Sequence, residues 1–299
     1  MREYYFCGFR MSEANVKQAK IVFAQNRNGN LNYKKYMPQK LGQNFLNNLE
    51  IVNRIIKYAN LTEDDLVLEI GPGEGILTET LAKKAKKVIS IEIDDTLVPA
   101  LKEKFKNNKN VEIIQGDILS INLPSLLKAN EAKNYKLIAN IPYYITSKII
   151  RLFLESEFPP QEIVLMVQEE VAERIVAVPG KMSKLSVSVQ YYGSAEVLFA
   201  VGKENFNPSP EVESAVIRIS QIAKRGAQSA EQKEREKKFF QTVRAGFCAR
   251  RKTLANNLSN SLHLDKMAVE EKLKKAGISP TARAQELSLE KWKLISKIF

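Results

Sequence analysis

The sequence predicts an α/β protein: an open, largely parallel sheet over most of the chain, followed by an all-helical C-terminal segment. Three observations carry this. Short apolar runs rich in branched residues, at 66–70, 87–92, 111–117, 135–139 and 163–167, alternate with stretches of helical spacing. The first run stops at Gly71, Gly73 and Gly75 and gives way to Ile-Leu-Thr-Glu-Thr-Leu-Ala, the signature of strand, tight turn and helix. Beyond residue 234 the pattern is helical, with Phe239, Phe240, Val243 and Phe247 on one face.

The 299 residues suffice for one sizeable core and a small second domain. The net charge of +12 is unevenly spread: residues 1–35 carry seven basic and two acidic side chains, 36–220 carry 21 and 24, and 221–299 carry 18 and eight. A near-neutral body between basic segments points to a polyanionic partner held through its phosphates. Cys7 and Cys248 form no Cys-x-x-Cys or metal-ligand pattern, as expected for a reducing compartment. No apolar run approaches the ~20 residues that span a bilayer and the N-terminus lacks a signal-peptide core, so the expectation is a soluble cytoplasmic protein with no membrane partner. The single histidine, His263, supports neither a zinc site nor a Ser-His-Asp arrangement, so the central chemistry has no histidine base.

Taken in order, residues 1–35 show no clear period and read as a mobile basic extension, with Met11 an alternative start. In Lys-Leu-Gly-Gln-Asn-Phe-Leu, residues 40–46, Gln43 and Asn44 offer amides just before a helix marked by Leu49, Val52, Ile55 and Ile56; an N-terminal cap and a ligand contact are equally good local readings of Asn44. The three glycines that follow the first strand permit positive φ and close approach of a ligand to main-chain N–H groups at a helix start. Glu69 lies inside the end of this strand, and the second strand ends in Glu92, 21 residues after Gly71, where an adenosine ribose presents its hydroxyls.

Two ligands suit such a turn. The dinucleotide fingerprint G-x-G-x-x-G is broken, because its third glycine position is Ile76. A carboxylate at Glu69 suits a ligand with an ammonium and a sulfonium better than a pyrophosphate, which favours S-adenosylmethionine. The third strand ends in Gly116-Asp117; on the adenosine reading Asp117 accepts from the adenine amino group and Ile118 covers the ring, although a lone Gly-Asp is more often a turn.

The fourth strand runs into Asn140-Ile-Pro-Tyr-Tyr144. A purine amino nitrogen is a poor nucleophile because its lone pair is delocalised into the ring. The Asn140 side-chain oxygen and a main-chain carbonyl of Asn-Ile-Pro can each accept one of its N–H bonds, which favours rehybridisation and aims the lone pair at a methyl group. Pro142 restricts the turn, and Tyr143 offers an aromatic face for an extruded base. Helices are expected over 148–155 and 169–176, residues 185–192 suit helix or strand, and 197–201 with 212–219 read as a closing antiparallel pair. The loop Phe206-Asn-Pro-Ser-Pro210 suits either a second wall of a base pocket or a structural turn, and 220–234 reads as a linker. Near the apolar face of the last segment, Arg244, Arg250, Arg251 and Lys252 form a cluster suited to phosphates.

From about Lys35 to the C-terminus, K-L-G-Q-N-F-L, E-I-G-P-G-E-G, Glu92, G-D, N-I-P-Y-Y, F-N-P-S-P-E-V-E-S-A-V and F-C-A-R-R-K-T-L-A-N-N-L recur in an order that closely resembles the ribosomal RNA adenine dimethyltransferase family, specifically its small-subunit branch. The resemblance implies a Rossmann-like class I methyltransferase domain, a seven-stranded doubly wound sheet over 36–220, and a small helical RNA-binding domain over 221–299. It also implies two methyl groups added to each of two adjacent adenosines near the 3′ end of small-subunit (16S) rRNA in the immature 30S subunit, by a monomer using S-adenosylmethionine. Carried over by position, Asn44, Leu46, Gly71, Glu92, Asp117 and Asn140 hold the cofactor, and Asn140, Pro142 and Tyr143 hold the base with Phe206 as a further partner. No metal is implied, and residues 1–35 fall outside the pattern.

The alternatives are the large-subunit (23S) branch that confers macrolide resistance, a non-catalytic ribosome assembly factor, and a nicotinamide dehydrogenase. The first shares the cofactor residues and Asn-Ile-Pro-Tyr, so only the F-N-P-S-P and A-R-R-K-T-L stretches tell against it. An intact Asn-Ile-Pro-Tyr disfavours the second, and Ile76 the third.

Overall fold

In the computed structural model, the described residues are 43–132, 134–223 and 229–299, with four short strands nearer the N-terminus. The chain divides into two compact units, residues 1–43 and 44–299. In the first, Tyr4–Phe6 pairs antiparallel with Phe9–Met11, and Ala24–Gln25 with Leu31–Asn32. Beyond these strands, the expectation of a mobile extension falls outside the described residues.

The second unit opens with the two-residue strand β1 (Phe45–Leu46) and helix α1 (Leu49–Tyr58). Four strand and helix units follow: β2 (Leu66–Ile70) with α2 (Ile76–Ala82), β3 (Lys87–Glu92) with α3 (Val98–Lys104), β4 (Val111–Gln115) with α4 (Leu123–Ala129), and β5 (Lys136–Asn140) with α5 (Thr146–Leu154). Then come β6 (Glu162–Gln168), α6 (Glu169–Ile175), α7 (Lys184–Tyr192), β7 (Ser194–Val201), the short β8 (Phe206–Asn207) and β9 (Ser214–Ser220). The sheet order is β7-β9-β6-β5-β2-β3-β4. The five strands from β6 to β4 are parallel, β9 runs antiparallel to β6, and β7 antiparallel to β9. This is the seven-stranded, doubly wound sheet expected, and its closing pair is antiparallel as the sequence predicts.

The central strands read as continuous apolar runs because both faces are covered. Leu68, Ile89, Leu137 and Leu165 belong to one core, and Val67, Val88, Ile138 and Val164 to the other, beneath α1 and α2. Each such branched side chain, taken fully out of water, contributes ~1.5–3 kcal/mol. Chain order reverses between β2 and β5: from β2 the chain runs outward through β3 to β4, then returns to β5. The carboxyl ends of those two strands form the switch point where open α/β sheets bind ligands.

One segment that suits helix or strand in the sequence is resolved, and one further helix is present. Residues 184–192 are helical, despite the alternation of Leu185-Ser-Val-Ser-Val189, because Ser183 and Ser186 form a reciprocal capping box and both sides of the helix are buried. Leu185, Val189 and Tyr192 join the sheet core, whereas Val187 joins the C-terminal core. Helix α4 was not expected; Asn122 caps it, accepting from Ser125 N, with Pro124 in its first turn.

The C-terminal region comprises α8 (Ala230–Gly246), α9 (Leu254–Leu262), α10 (Lys266–Lys275) and α11 (Leu289–Ile298) around Trp292, Leu254, Leu258 and Leu273. Ser229 caps α8 with Gln232, so the last part of the expected linker is helix. Tyr191 stacks on Phe239 with ring centroids 4.3 Å apart, and the Tyr192 hydroxyl donates to Glu236 at 2.7 Å, which seats the helical region on α7.

Candidate active site

The turn after β2 places Gly71, Gly73 and Gly75 at φ of +65°, +58° and +80°, conformations that disfavour any L side chain. A Cβ on Gly73 would lie 2.7 Å from Phe45 Cδ1, and one on Gly75 would lie 2.9 Å from Phe105 Cε2. The ring of Phe45 therefore rests directly on the glycine turn, and the turn is a cradle with no room for side chains of its own. Gly71 faces the other side of the switch point, where a Cβ would approach the Asn140 carbonyl and Pro142 Cδ at 3.9 and 4.0 Å.

Glu92 is buried at the tip of β3. Its Oε2 accepts from Gly73 N at 3.1 Å and its Oε1 from Asp94 N at 2.9 Å. The carboxylate thus holds the glycine turn in place and keeps acceptor capacity for a hydroxyl. Burial, with a smaller contribution from the Asp94 charge, raises its pKa against the hydrogen bonds from the Asp94, Gly73 and Ile93 main chain.

Glu69 lies below the turn, 1 % exposed. Its Oε2 accepts from Thr78 Oγ1 at 2.7 Å and Ser90 Oγ at 2.6 Å, tying β2 to α2 and β3, while Oε1 is buried without a hydrogen-bond partner. Burial, with a smaller contribution from Glu92, pushes its pKa up from 4.5 to about 7. The folded protein then holds a proton that the unfolded chain releases, so this carboxyl's contribution to stability is complete below pH 4.5 and lost as pH rises through about 7. Glu69→Gln, a mimic of the neutral acid, is expected to match the parent in urea unfolding near pH 5 and to exceed it near pH 8 by up to about 3 kcal/mol. Equal stability at the higher pH would contradict a protonated Glu69.

At the tip of β5, Asn140 Nδ2 donates to the Asn44 carbonyl at 3.3 Å. That bond fixes which end of the amide faces inward, and Asn140 Oδ1 has no partner among the described residues. Pro142 precedes a 3₁₀ turn, Tyr143–Ile145, in which Tyr143 is half-buried and Tyr144 is 63 % exposed. The Tyr143 hydroxyl exchanges a hydrogen bond with Ser214 Oγ.

The remaining expected residues divide by role. Asp117 serves its own turn, Oδ1 accepting from Leu119 N at 2.9 Å, and keeps a half-exposed face beside the buried Ile118. Asn44 is not the helix cap; Asn48 is, accepting from Glu50 N at 2.8 Å. The Leu46 and Phe206 side chains are both buried in the core under α1. Leu46 and Phe206 pair across β1 and β8, so Phe206, at 4 % exposure, packs the joint between two loops instead of presenting an open aromatic face. Asn47 N donates to the Asn205 carbonyl at 3.0 Å and Asn48 Nδ2 to Asn205 Oδ1 at 2.7 Å, so the β1 segment and the loop before β8 are locked together. Arg244, Arg250, Arg251 and Lys252 are exposed around the end of α8 and the start of α9, and none has an ion-pair partner among the described residues.

The sequence reasoning missed Ser214, whose partner lies two strands away, and the stacking of Phe45 on the glycine turn. No group of three metal-ligating side chains occurs among the described residues. No described helix is long and apolar enough to cross a membrane.

A switch-point site with a glycine cradle, carboxylates at neighbouring strand tips and an Asn-Ile-Pro-Tyr turn is matched from residue 35 to 299 by the family model for ribosomal RNA adenine dimethylase. The chain belongs to that family. Among curated relatives, this adenine dimethylase family member is similar to the ribosomal RNA small subunit methyltransferase A of Dehalococcoides mccartyi, 44 % identical over 259 residues and 87 % of each chain. The protein of the same name from Bacillus pumilus is 42 % identical over 267 residues, 87 % of this chain and 90 % of the relative. Among solved structures, a dimethyladenosine transferase from Plasmodium falciparum superposes with a TM-score of 0.69 at 25 % identity, covering 85 % of this chain and 96 % of the other. The 23S rRNA methyltransferase ErmE gives 0.67 at 29 %, covering 85 % and 99 %. The member described here is accordingly a methyltransferase with the class I fold.

Proposed function

We propose that the protein transfers methyl groups from S-adenosylmethionine to the exocyclic amino nitrogens of two adjacent adenosines near the 3′ end of small-subunit (16S) rRNA. The product is a pair of dimethyladenosines, made in the immature 30S subunit during its maturation, by a cytoplasmic monomer. The observation that carries this reading is Asn140 at the switch point: its side-chain donor end is engaged by the Asn44 carbonyl, its Oδ1 has no partner among the described residues, and its main-chain carbonyl lies on the Gly71 side of the turn. An acceptor held there suits an amino group that must be oriented and rehybridised.

The residues present fit the cofactor. Gly71 and Gly73 form a cradle that a Cβ would fill, Glu92 offers buried carboxylate oxygens to a ribose, and Asp117 stands beside Ile118 for an adenine edge and face. Asn44, Leu46 and Asn140 contribute main-chain and amide groups from the adjoining segments. When bound, S-adenosylmethionine supplies an electrophilic methyl group on a positively charged sulfur. Asn140 Oδ1 and a main-chain carbonyl of the Asn-Ile-Pro segment accept the two N–H bonds of the target amine, Pro142 keeps those acceptors fixed, and Tyr143 stacks on the extruded base. Preorganised acceptors replace a strong base: the nitrogen attacks as the neutral amine, and the cationic methylated amine that results releases its proton to water.

The small-subunit branch is favoured over the large-subunit branch by the names of the relatives at 42–44 % identity, against 29 % for the 23S enzyme. On this reading residues 36–220 perform the chemistry and 221–299 select the RNA, with 1–35 adding basic charge. The exposed Arg250, Arg251 and Lys252 then contact phosphates. Changing all three to alanine should weaken binding to small-subunit RNA, make the plot of log affinity against log salt shallower by ~0.7–0.9 per lost contact, and leave cofactor affinity unchanged. An unchanged salt slope in a filter-binding titration would remove these residues from the interface. Complete modification of unmethylated small subunits, followed by nucleoside analysis, should yield dimethyladenosine at two neighbouring positions; monomethyladenosine alone would exclude the proposed reaction.

A further inference from the structure

We infer that Ser214 is a positioning residue for base recognition, acting through Tyr143. Ser214 opens β9 and is fully buried. Its register partner on β6 is Gln168, and two residues away on that strand Met166 lies opposite Asn140 of β5. Strands β5 and β9 flank β6, so roughly 10 Å of sheet separates them. The Tyr143 side chain crosses the end of β6, and its hydroxyl meets Ser214 Oγ, which has no other hydrogen-bond partner among the described residues.

A half-buried phenol that exchanges a hydrogen bond with a fully buried hydroxyl loses most of its freedom to rotate away from the turn, because either group left alone would be a desolvated polar atom. The anchor is itself held. The Glu213 carbonyl accepts from Glu169 N at 3.1 Å, and Glu213 Oε2 accepts from Lys203 N at 2.8 Å at the start of the loop that carries Asn205. That loop is locked to the β1 segment, whose Asn44 carbonyl receives the Asn140 amide. The hydroxyl of Ser214 thus closes a circuit in which the amide acceptor and the aromatic face are set by the same framework. Ser214 orients the ring on which the base stacks and touches neither base nor cofactor.

This rests on the reading of Tyr143 as the stacking face, and the experiment separates the two. Methyl transfer to small-subunit RNA and cofactor binding are measured for Ser214→Ala, Ser214→Thr, Tyr143→Phe, Tyr143→Ala and the double variant Ser214→Ala/Tyr143→Phe, with thermal unfolding as a check on folding. Ser214→Ala and Tyr143→Phe should each lower kcat/KM for RNA about 10-fold with cofactor affinity unchanged. The double variant should lose no more than either single one, and Ser214→Thr should recover most of the loss. Additive losses, or full activity of Ser214→Ala while Tyr143→Ala is inactive, would overturn the positioning role. Full activity of Tyr143→Ala would overturn the stacking reading and this inference with it. If Ser214→Ala fails to fold, Tyr143→Phe, which leaves β9 intact, tests the same bond alone; an unchanged kcat/KM there would also overturn it.

Discussion

Replacing Asn140 by alanine is expected to lower kcat for methyl transfer by about two to three orders of magnitude, the loss typical of removing one preorganised group from a reacting centre. The side chain has one engaged end and one available end: Nδ2 is committed to the Asn44 carbonyl, and Oδ1 projects the acceptor. Alanine removes both the acceptor and the tie to Asn44. Asn140→Asp separates them, because a carboxylate still accepts but cannot donate to a carbonyl and so loses its fixed orientation. Both variants should bind cofactor within about tenfold of the parent, since the cradle at Gly71 to Gly75 and the Glu92 carboxylate are untouched. Single-turnover rates with saturating cofactor distinguish this from a binding defect. A wild-type rate for Asn140→Ala would remove the amide from the chemistry.

The second large effect is expected on binding. Glu92→Ala should weaken cofactor affinity about 100-fold or more, measured by calorimetry, because it removes the hydrogen bonds offered to the ribose and releases Gly73 N from its partner. Hydrogen bonds to a charged group contribute ~1.5–3 kcal/mol each, so losing two accounts for the change. Glu92→Gln should fall in between: the amide oxygen still accepts one bond, whereas its NH₂ end cannot accept from Gly73 N or Asp94 N. Affinity within a few-fold of the parent for Glu92→Ala would mean that the ribose lies elsewhere.

Much of this site was legible in the sequence because its parts depend on local rules. Three glycines in five residues demand a turn with positive φ, and all three have it. Acids and amides at the ends of apolar runs land on one edge of the sheet because the strands that carry them are parallel. Where the reading fell short, the deciding contacts are remote. The ambiguity of residues 184–192 arises because a helix buried on two sides shows no single apolar stripe; only the meeting of sheet core and C-terminal core settles it. Phe206 looks equally suited to a pocket wall or a core until its pairing with Leu46, 160 positions away, commits the ring to the interior. Ser214 resembles any strand serine until β6 and β9 are known to be neighbours, which brings it under Tyr143.

The central claim is adenine dimethylation of small-subunit RNA, and label transfer tests it most directly. The protein is incubated with methyl-labelled S-adenosylmethionine and either unmethylated small subunits or naked large-subunit RNA, and the nucleosides are analysed. The account predicts labelled dimethyladenosine from the small subunits alone. Label only in the large-subunit RNA would place the activity in the other branch of the family, and tight cofactor binding with no label in either sample would contradict a catalytic role.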